Sequence, residues 1–100
     1  MTDLDREIED LNAAMRSVLA TPDGKRVMFW LLSEAAIYRD AFSGDAGATN
    51  YVLGQQSVGR KIIQKMDELD PRTYPKLLID VADMKAMERA IAHKEEEDDA

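Results

Sequence analysis

The sequence predicts an all-α protein, a small bundle of about four helices whose second helix is central and apolar. Two observations lead to this prediction. Apolar residues recur at three- and four-residue steps, without the two-residue alternation of strands. Capping residues followed by proline twice mark a new helix start. At 100 residues and 45% hydrophobic, the chain has the length of one domain. We expect a helical domain at 1–94 and an acidic tail at 95–100.

The first helix is predicted over residues 3–20. Thr2 or Asp3 can cap it, and the early carboxylates suit the positive end of the helix dipole. Its acidic face lies opposite an apolar stripe. The stripe consists of Leu4, Ile8, Leu11, Met15, Val18 and Leu19.

A second helix is predicted to start at Thr21 and Pro22, an N-cap followed by a proline in the first turn. It continues through the segment "GKRVMFWLLSEAAIYRDAF" (24–42), at least as far as Tyr38. Apolar side chains cover most of its circumference. Such a helix must be enclosed by neighbours or partners, so we place it in the middle of the bundle.

The polar segment "SGDAGATN" (43–50) predicts a flexible loop, the element we expect to change conformation on assembly. A third helix follows over about 51–69, capped by Thr49 or Asn50. We expect Gly54 and Gly59 within it to mark close approach of another helix backbone, since glycine otherwise weakens a helix.

The dipeptide "DP" (70–71) opens the fourth helix. Because Pro75 cannot donate a helical hydrogen bond, the regular helix is predicted to begin near Thr73–Tyr74 and to end at about His93. The predicted core combines residues from all four helices. It comprises Leu11, Met15, Val27, Leu31, Ile62, Met66, Leu78 and Val81.

The net charge of −7 is concentrated at the two ends. Residues 1–10 carry −4 and residues 95–99 carry −5, which leaves 12 basic against 10 acidic residues, or +2, between them. Acidic ends and the lack of a basic stripe argue against nucleic-acid binding. No apolar run approaches the roughly 18 residues of a membrane span, and the N-terminus lacks signal-peptide features. We expect synthesis in the cytoplasm and no membrane contact.

No motif predicts catalysis. The chain has no cysteine, which excludes thiolate nucleophiles and thiolate metal sites. The segment "GQQSVGRK" (54–61) lacks the lysine that directly follows the second glycine of a phosphate-binding loop. His93 is the only histidine, at a helix end without an orienting partner, and the carboxylates have no metal-ligand spacing. We therefore expect no catalytic residue, metal or cofactor.

The aromatic residues predict a protein-docking surface. Met28, Phe29 and Trp30 lie about 100° apart around the helix, so they cannot all face one core. Aromatic side chains are the usual anchors of interfaces, and Trp30, Phe42 and Tyr51 are expected at the edge of the core. The predicted partner-binding residues are Phe29, Trp30, Tyr38, Arg39, Phe42 and Tyr51.

Over residues 21–80 the order of motifs resembles a family of small tailed-bacteriophage proteins. Gly and Arg precede an apolar "WLL" helix, Tyr-Arg leads into "F-S-G", and a "G…VG" helix comes before an acidic-Pro-x-x-Tyr segment. The matching positions are Gly24, Arg26, Trp30, Leu31, Leu32, Tyr38, Arg39, Phe42, Ser43, Gly44, Gly54, Val58, Gly59, Asp70, Pro71 and Tyr74.

The resemblance implies a helical protein encoded among head-morphogenesis genes, near portal and capsid. Together with the apolar second helix and the absence of a site, it favours a non-enzymatic virion component or assembly protein. Such a protein would bind a larger oligomeric phage protein, such as portal or capsid, through the aromatic helix face and the acidic ends. Self-association into a homo-oligomer remains open. The alternative is a soluble regulator that binds a host protein, with acidic ends that mimic nucleic acid.

Overall fold

The computed structural model describes residues 2–99, so Met1 and Ala100, at the ends of the predicted domain and tail, lie outside the described residues. Within this range the chain forms four helices and no strand. The second helix packs against each of the other three, and the fourth also packs against the third. The predicted central second helix is confirmed. The helices are α1 (Asp3–Leu19), α2 (Pro22–Glu34), α3 (Ala46–Leu69) and α4 (Thr73–Asp98).

The predicted caps of α1 and α2 are confirmed. The Thr2 hydroxyl accepts from the Asp5 amide at 3.1 Å, and the Asp5 carboxylate accepts from the Thr2 amide at 3.2 Å. This reciprocal pair is a capping box. At α2 the Thr21 hydroxyl accepts from the Gly24 amide at 3.0 Å. Cap chemistry in the sequence therefore locates both helix starts.

The C-terminus of α2 lies earlier than predicted. The helix ends at Glu34, and Ala36 takes the left-handed conformation with φ of 57°. The Ile37 amide donates to the Leu32 carbonyl at 3.4 Å and the Ala36 amide to the Ser33 carbonyl at 3.0 Å. These two bonds form a Schellman motif, which usually has glycine at the left-handed position. An alanine there gives no sequence signal, so the prediction carried the helix too far.

The third helix begins earlier than predicted. Asp45, not Thr49 or Asn50, is the N-cap, and its carboxylate accepts from the Ala48 amide at 2.9 Å. Aspartate caps a helix as well as asparagine does, and the small residues that follow are compatible with helix. Half of the predicted loop is therefore the first turn of α3, and the irregular segment runs over 35–45.

The helix α4 begins at Thr73, as predicted, but its cap and its end differ from the prediction. The N-cap is Arg72 and not Asp70, and no side-chain hydrogen bond caps the helix. Asp70 accepts instead from the Arg72 amide at 2.8 Å, in the turn before the helix. Pro75 is then the third helical residue, where the amide has no intrahelical partner in any case. The helix continues past His93 to Asp98. Most of the predicted acidic tail is thus exposed helix.

The core is centred on one side of α2 and differs in part from the predicted set. It consists of Met28, Leu32, Met66, Leu77 and Val81, with Met15 and Ile62 packed against it. Met66 and Val81 were predicted to be buried, and they are.

The predicted burial of Leu11, Val27 and Leu31 is wrong, because all three are exposed, and Leu78 is only half-buried beside the buried Leu77. Met28 and Leu32 replace Val27 and Leu31, a rotation of about 100°. An all-round apolar helix does not reveal which side faces inward.

The molecule is flat and extended. Its radius of gyration is 17.7 Å, against about 13 Å for a compact domain of this length, and it measures 62 × 43 × 18 Å. α1 contains no buried residue, and residues 85–98 of α4 are all exposed. The two terminal helices therefore extend beyond the packed body.

Candidate docking surface

Two of the predicted docking residues, Phe29 and Tyr38, form an aromatic cluster against α4, in which Phe29 is half-buried and Tyr38 is 47% exposed. Their rings stack with centroids 5.5 Å apart and an interplanar angle of 21°. The Lys85 ammonium lies 4.3 Å from the Phe29 ring centroid, a cation–π geometry. The Tyr38 hydroxyl is 2.9 Å from that of Tyr74. Burial and then this hydrogen bond raise the pKa of Tyr38 above its ordinary value. The cluster joins the end of α2 to α4.

Trp30 lies away from the core on α2. It is 58% exposed, and its neighbours Val27 and Leu31 are 55% and 40% exposed. Residues three and four positions apart share a helix face, so these three side chains form one apolar surface, which we call the α2 patch. The prediction of Trp30 as a surface residue is confirmed.

The other predicted docking residues lie on the segment after α2 and on α3. Arg39 and Phe42 belong to the irregular segment, and Tyr51 lies in the second turn of α3. Phe42 is 77% exposed and Tyr51 is 69% exposed. The structure thus separates the six predicted residues into the stacked pair, Trp30 on the outer face of α2, and three exposed residues further along the chain.

Gln56 holds the irregular segment against α3, a role that sequence reasoning missed. Its side-chain amide donates to the Ala36 carbonyl at 2.9 Å and to the Arg39 carbonyl at 2.8 Å. Arg60 donates to the Gln56 side-chain oxygen at 3.3 Å. A buried polar side chain with satisfied hydrogen bonds stabilises one conformation. The backbone just before Phe42 is therefore anchored.

α1 presents a second apolar surface that the sequence assigned to the core. The α1 stripe comprises Leu4, Ile8, Leu11 and Val18, which are 65%, 44%, 54% and 44% exposed. Only Met15 and Leu19, towards its C-terminal end, pack against the core. The periodicity located the stripe correctly but could not say whether another helix covers it.

An ion bridge and an open groove connect α2 with α4. Asp80 lies 2.9 Å from the Lys25 ammonium and 2.7 Å from that of Lys76, and Arg26 lies 2.6 Å from Glu88. Hydrogen bonds from Lys76, which has the larger effect, and from Lys25 lower the pKa of Asp80 below its ordinary value. Beside them is a groove of about 330 Å³. Its lining is Arg26, Phe29, Val81, Met84, Lys85 and Glu88.

Among residues 2–99, no three histidine, aspartate or glutamate side chains lie together as a metal-binding group. None of the helices described is both long and apolar enough to cross a membrane.

The sequence matches the model of a protein family described as Bbp19-like phage protein over residues 15–79. Comparison with curated proteins and with solved structures gives no significant match. The matched range contains the end of α1, all of α2 and α3, and the start of α4. It therefore covers most of the packed body but not the core residue Val81, and the two extensions lie outside it.

Proposed function

Because the chain belongs to the Bbp19-like phage protein family, we propose that it is a non-enzymatic component or assembly factor of the phage particle. Its partner in this proposal is a larger oligomeric phage protein, such as portal or capsid. The α2 patch carries the proposal. It lies on the central helix, within the range that matches the family.

Exposure of the Trp30 side chain to water has a free-energy cost that a covering partner removes. Burial of apolar surface gains about 25 cal/mol per Å², and tryptophan is enriched among the residues that dominate binding energy at interfaces. Val27 and Leu31 extend the apolar area on the same face. An apolar surface on a rigid central helix is suited to a partner that covers it.

The exposed aromatic residue Phe42 supplies further contact area. Gln56 anchors the backbone at Ala36 and Arg39, so Phe42 follows an ordered segment. An anchor that is held before binding loses less conformational entropy on binding. This supports a role for Phe42 beside Trp30 in the same interaction.

The test is mass spectrometry of purified DNA-filled particles and of empty precursors, with this chain quantified against portal and capsid. We expect a fixed ratio to one of these proteins in at least one kind of particle. A chain found only in precursors is an assembly factor, and one retained in filled particles is a virion component. Absence from both contradicts the proposal and favours the host-binding regulator.

The substitution Trp30→Ala tests the surface itself. We expect it to lower incorporation at least about tenfold, as truncation of an interface anchor does, with a small change in thermal stability because Trp30 lies outside the core. The control is Ile79→Ala, which removes an apolar side chain that is 60% exposed on α4. Equal incorporation of the two variants would exclude the α2 patch.

A further inference from the structure

We propose that two copies of this chain associate by packing the α1 stripe of one copy against the exposed edge of α3 in the other. The proposal is independent of the α2 patch and of the particle partner. It rests on an uncovered apolar helix face, on the charges beside that face, and on a complementary edge of the same chain.

The N-terminal part of the α1 stripe is largely exposed to solvent. Leu4 is 65% exposed and Leu11 is 54% exposed, and α1 contributes no buried residue. Amphipathic helices gain most of their stability from packing their apolar face. A capping box fixes the start of this helix, so the apolar face is presented in helical form.

The charges beside the stripe define what can cover it. Residues 3–10 carry five carboxylates and one arginine, for a charge of −4. At 100° per residue, Asp5 and Glu9 flank one side of the stripe and Glu7 and Asp10 flank the other. These carboxylates repel anionic lipid and nucleic acid. The matching surface must be apolar and basic.

α3 provides such a surface. Tyr51 and Val58 are 69% and 57% exposed, and their spacing of seven residues places them on one face with Lys61 and Lys65. This α3 edge differs from the side that packs inward, where Gln56 and Gly59 are buried.

The charge along α3 complements that of α1. Residues 46–66 contain three basic residues and no carboxylate, the longest stretch of the chain without an acidic residue. Of these three, Lys61 and Lys65 lie on the α3 edge, where Lys65 also pairs with Glu68 at 3.5 Å, whereas Arg60 donates to the inward-facing Gln56. In the proposed contact the carboxylates of α1 therefore face Lys61 and Lys65. Complementary charges of this kind direct association and set its register.

We assign the α3 edge that covers the α1 stripe to a second copy, because within its own chain α1 packs against α2 through its C-terminal end. One short helix face covers less than the 1,200 Å² or so of a stable interface. When a two-fold axis relates two copies, the α1 stripe of each copy packs against the α3 edge of the other. Both stripes and both α3 edges are then covered, which doubles the buried area.

The experiment is sedimentation of the purified full-length chain over a range of concentrations, at low and high salt. We expect a concentration-dependent dimer that weakens as salt rises, since salt screens exposed charges. A wild-type chain that stays monomeric at every concentration overturns the proposal.

Charge reversal tests the pairing of the two surfaces. We expect Glu7→Lys with Asp10→Lys, and separately Lys61→Glu with Lys65→Glu, each to weaken association about tenfold or more. A mixture of these two variants restores the dimer, because basic α1 then meets acidic α3. Failure of the mixture to associate overturns the proposed pairing, provided that circular dichroism shows both variants folded.

Two controls separate this result from other effects. Arg89→Glu with Lys94→Glu makes the same change in net charge as the α3 double variant, on the exposed part of α4, and we expect it to leave dimerisation unchanged. Trp30→Ala also keeps the dimer, since the α2 patch is a different surface. Loss of the dimer in either control contradicts an α1–α3 contact, whether or not the chain enters particles.

Discussion

At Gly59, α3 meets the segment that follows α2. A Cβ atom at this position would lie 2.7 Å from Cδ1 of Ile37 and 3.0 Å from Cβ of Ala35. Both distances are too short for ordinary packing, so Gly59 does mark a close approach, but the approaching atoms are side chains of the segment after α2 and not the predicted helix backbone. Gly54, on the same helix, has no atom within 4 Å of such a Cβ, and there the same prediction is wrong.

The two glycines make a matched pair for substitution. Alanine is favoured over glycine in a helix by about 1 kcal/mol, so Gly54→Ala should raise the free energy of unfolding by roughly that amount. Gly59→Ala has the same gain in propensity but an overpacking cost of about 1–3 kcal/mol, so we expect net destabilisation. Urea unfolding of both variants measures the difference. Equal stabilisation by both would show that Ile37 does not pack on Gly59.

Asp80 joins two helices, because its carboxylate forms ion pairs with Lys25 on α2 and with Lys76 on α4. Its lowered pKa means that the folded protein holds the ionised form more strongly than the unfolded chain does. The resulting stabilisation is present above the ordinary aspartate pKa of 3.8. It is lost as the pH falls below that value and through the folded-state pKa.

We therefore expect Asp80→Asn to lower the urea midpoint at pH 7. The difference from the wild type should shrink as the pH falls below about 3.8, because the wild-type carboxyl is then protonated as well. Asp83→Asn is the control, on an exposed residue of the same helix. A deficit for Asp80→Asn that persists unchanged in acid would mean that its charge is not the cause.

Asp70 shows the same direction of shift within a single turn. Hydrogen bonds from the Arg72 side chain and backbone lower its pKa to about 2. Both partners lie at the junction before α4, so this interaction orders the start of one helix. It does not join separate helices, which distinguishes it from the bridge at Asp80.

The whole molecule consists of a small packed body and two helical extensions. The body contains the core around Leu32, the Gln56 anchor and the range that matches the family. The extensions are the N-terminal part of α1 and the exposed part of α4. The α1 stripe belongs to the first extension and the α2 patch to the body, and the two proposals assign these two exposed apolar faces to contacts between chains.

Substitution of leucine by alanine should affect stability differently in the packed body and in the α1 extension. Leu32 is fully buried and Leu11 is 54% exposed. We expect Leu32→Ala to cost about 2–5 kcal/mol, whereas Leu11→Ala should change the free energy of unfolding by less than about 1 kcal/mol. Thermal unfolding of dilute, monomeric protein measures both. A large loss for Leu11→Ala would place α1 in the core of the monomer.

Only part of the candidate site could be predicted from the sequence. Trp30, Phe42 and Tyr51 were expected near the surface, and all three are exposed. The stacking of Phe29 on Tyr38 and the anchoring by Gln56 were not foreseen. Both contacts join residues far apart along the helices, and no local pattern encodes such pairs.

The sequence by itself determined the helical class, the starts of α1, α2 and α4, and the stripe along α1. These features depend on hydrophobic periodicity and cap chemistry, which act within a few residues. Only the tertiary structure decided the rotation of α2, its end at Ala36 and the exposure of the α1 stripe. A helix that is apolar all round has no preferred inward side until its neighbours pack. The turn at Ala36 is held by Gln56, twenty residues later.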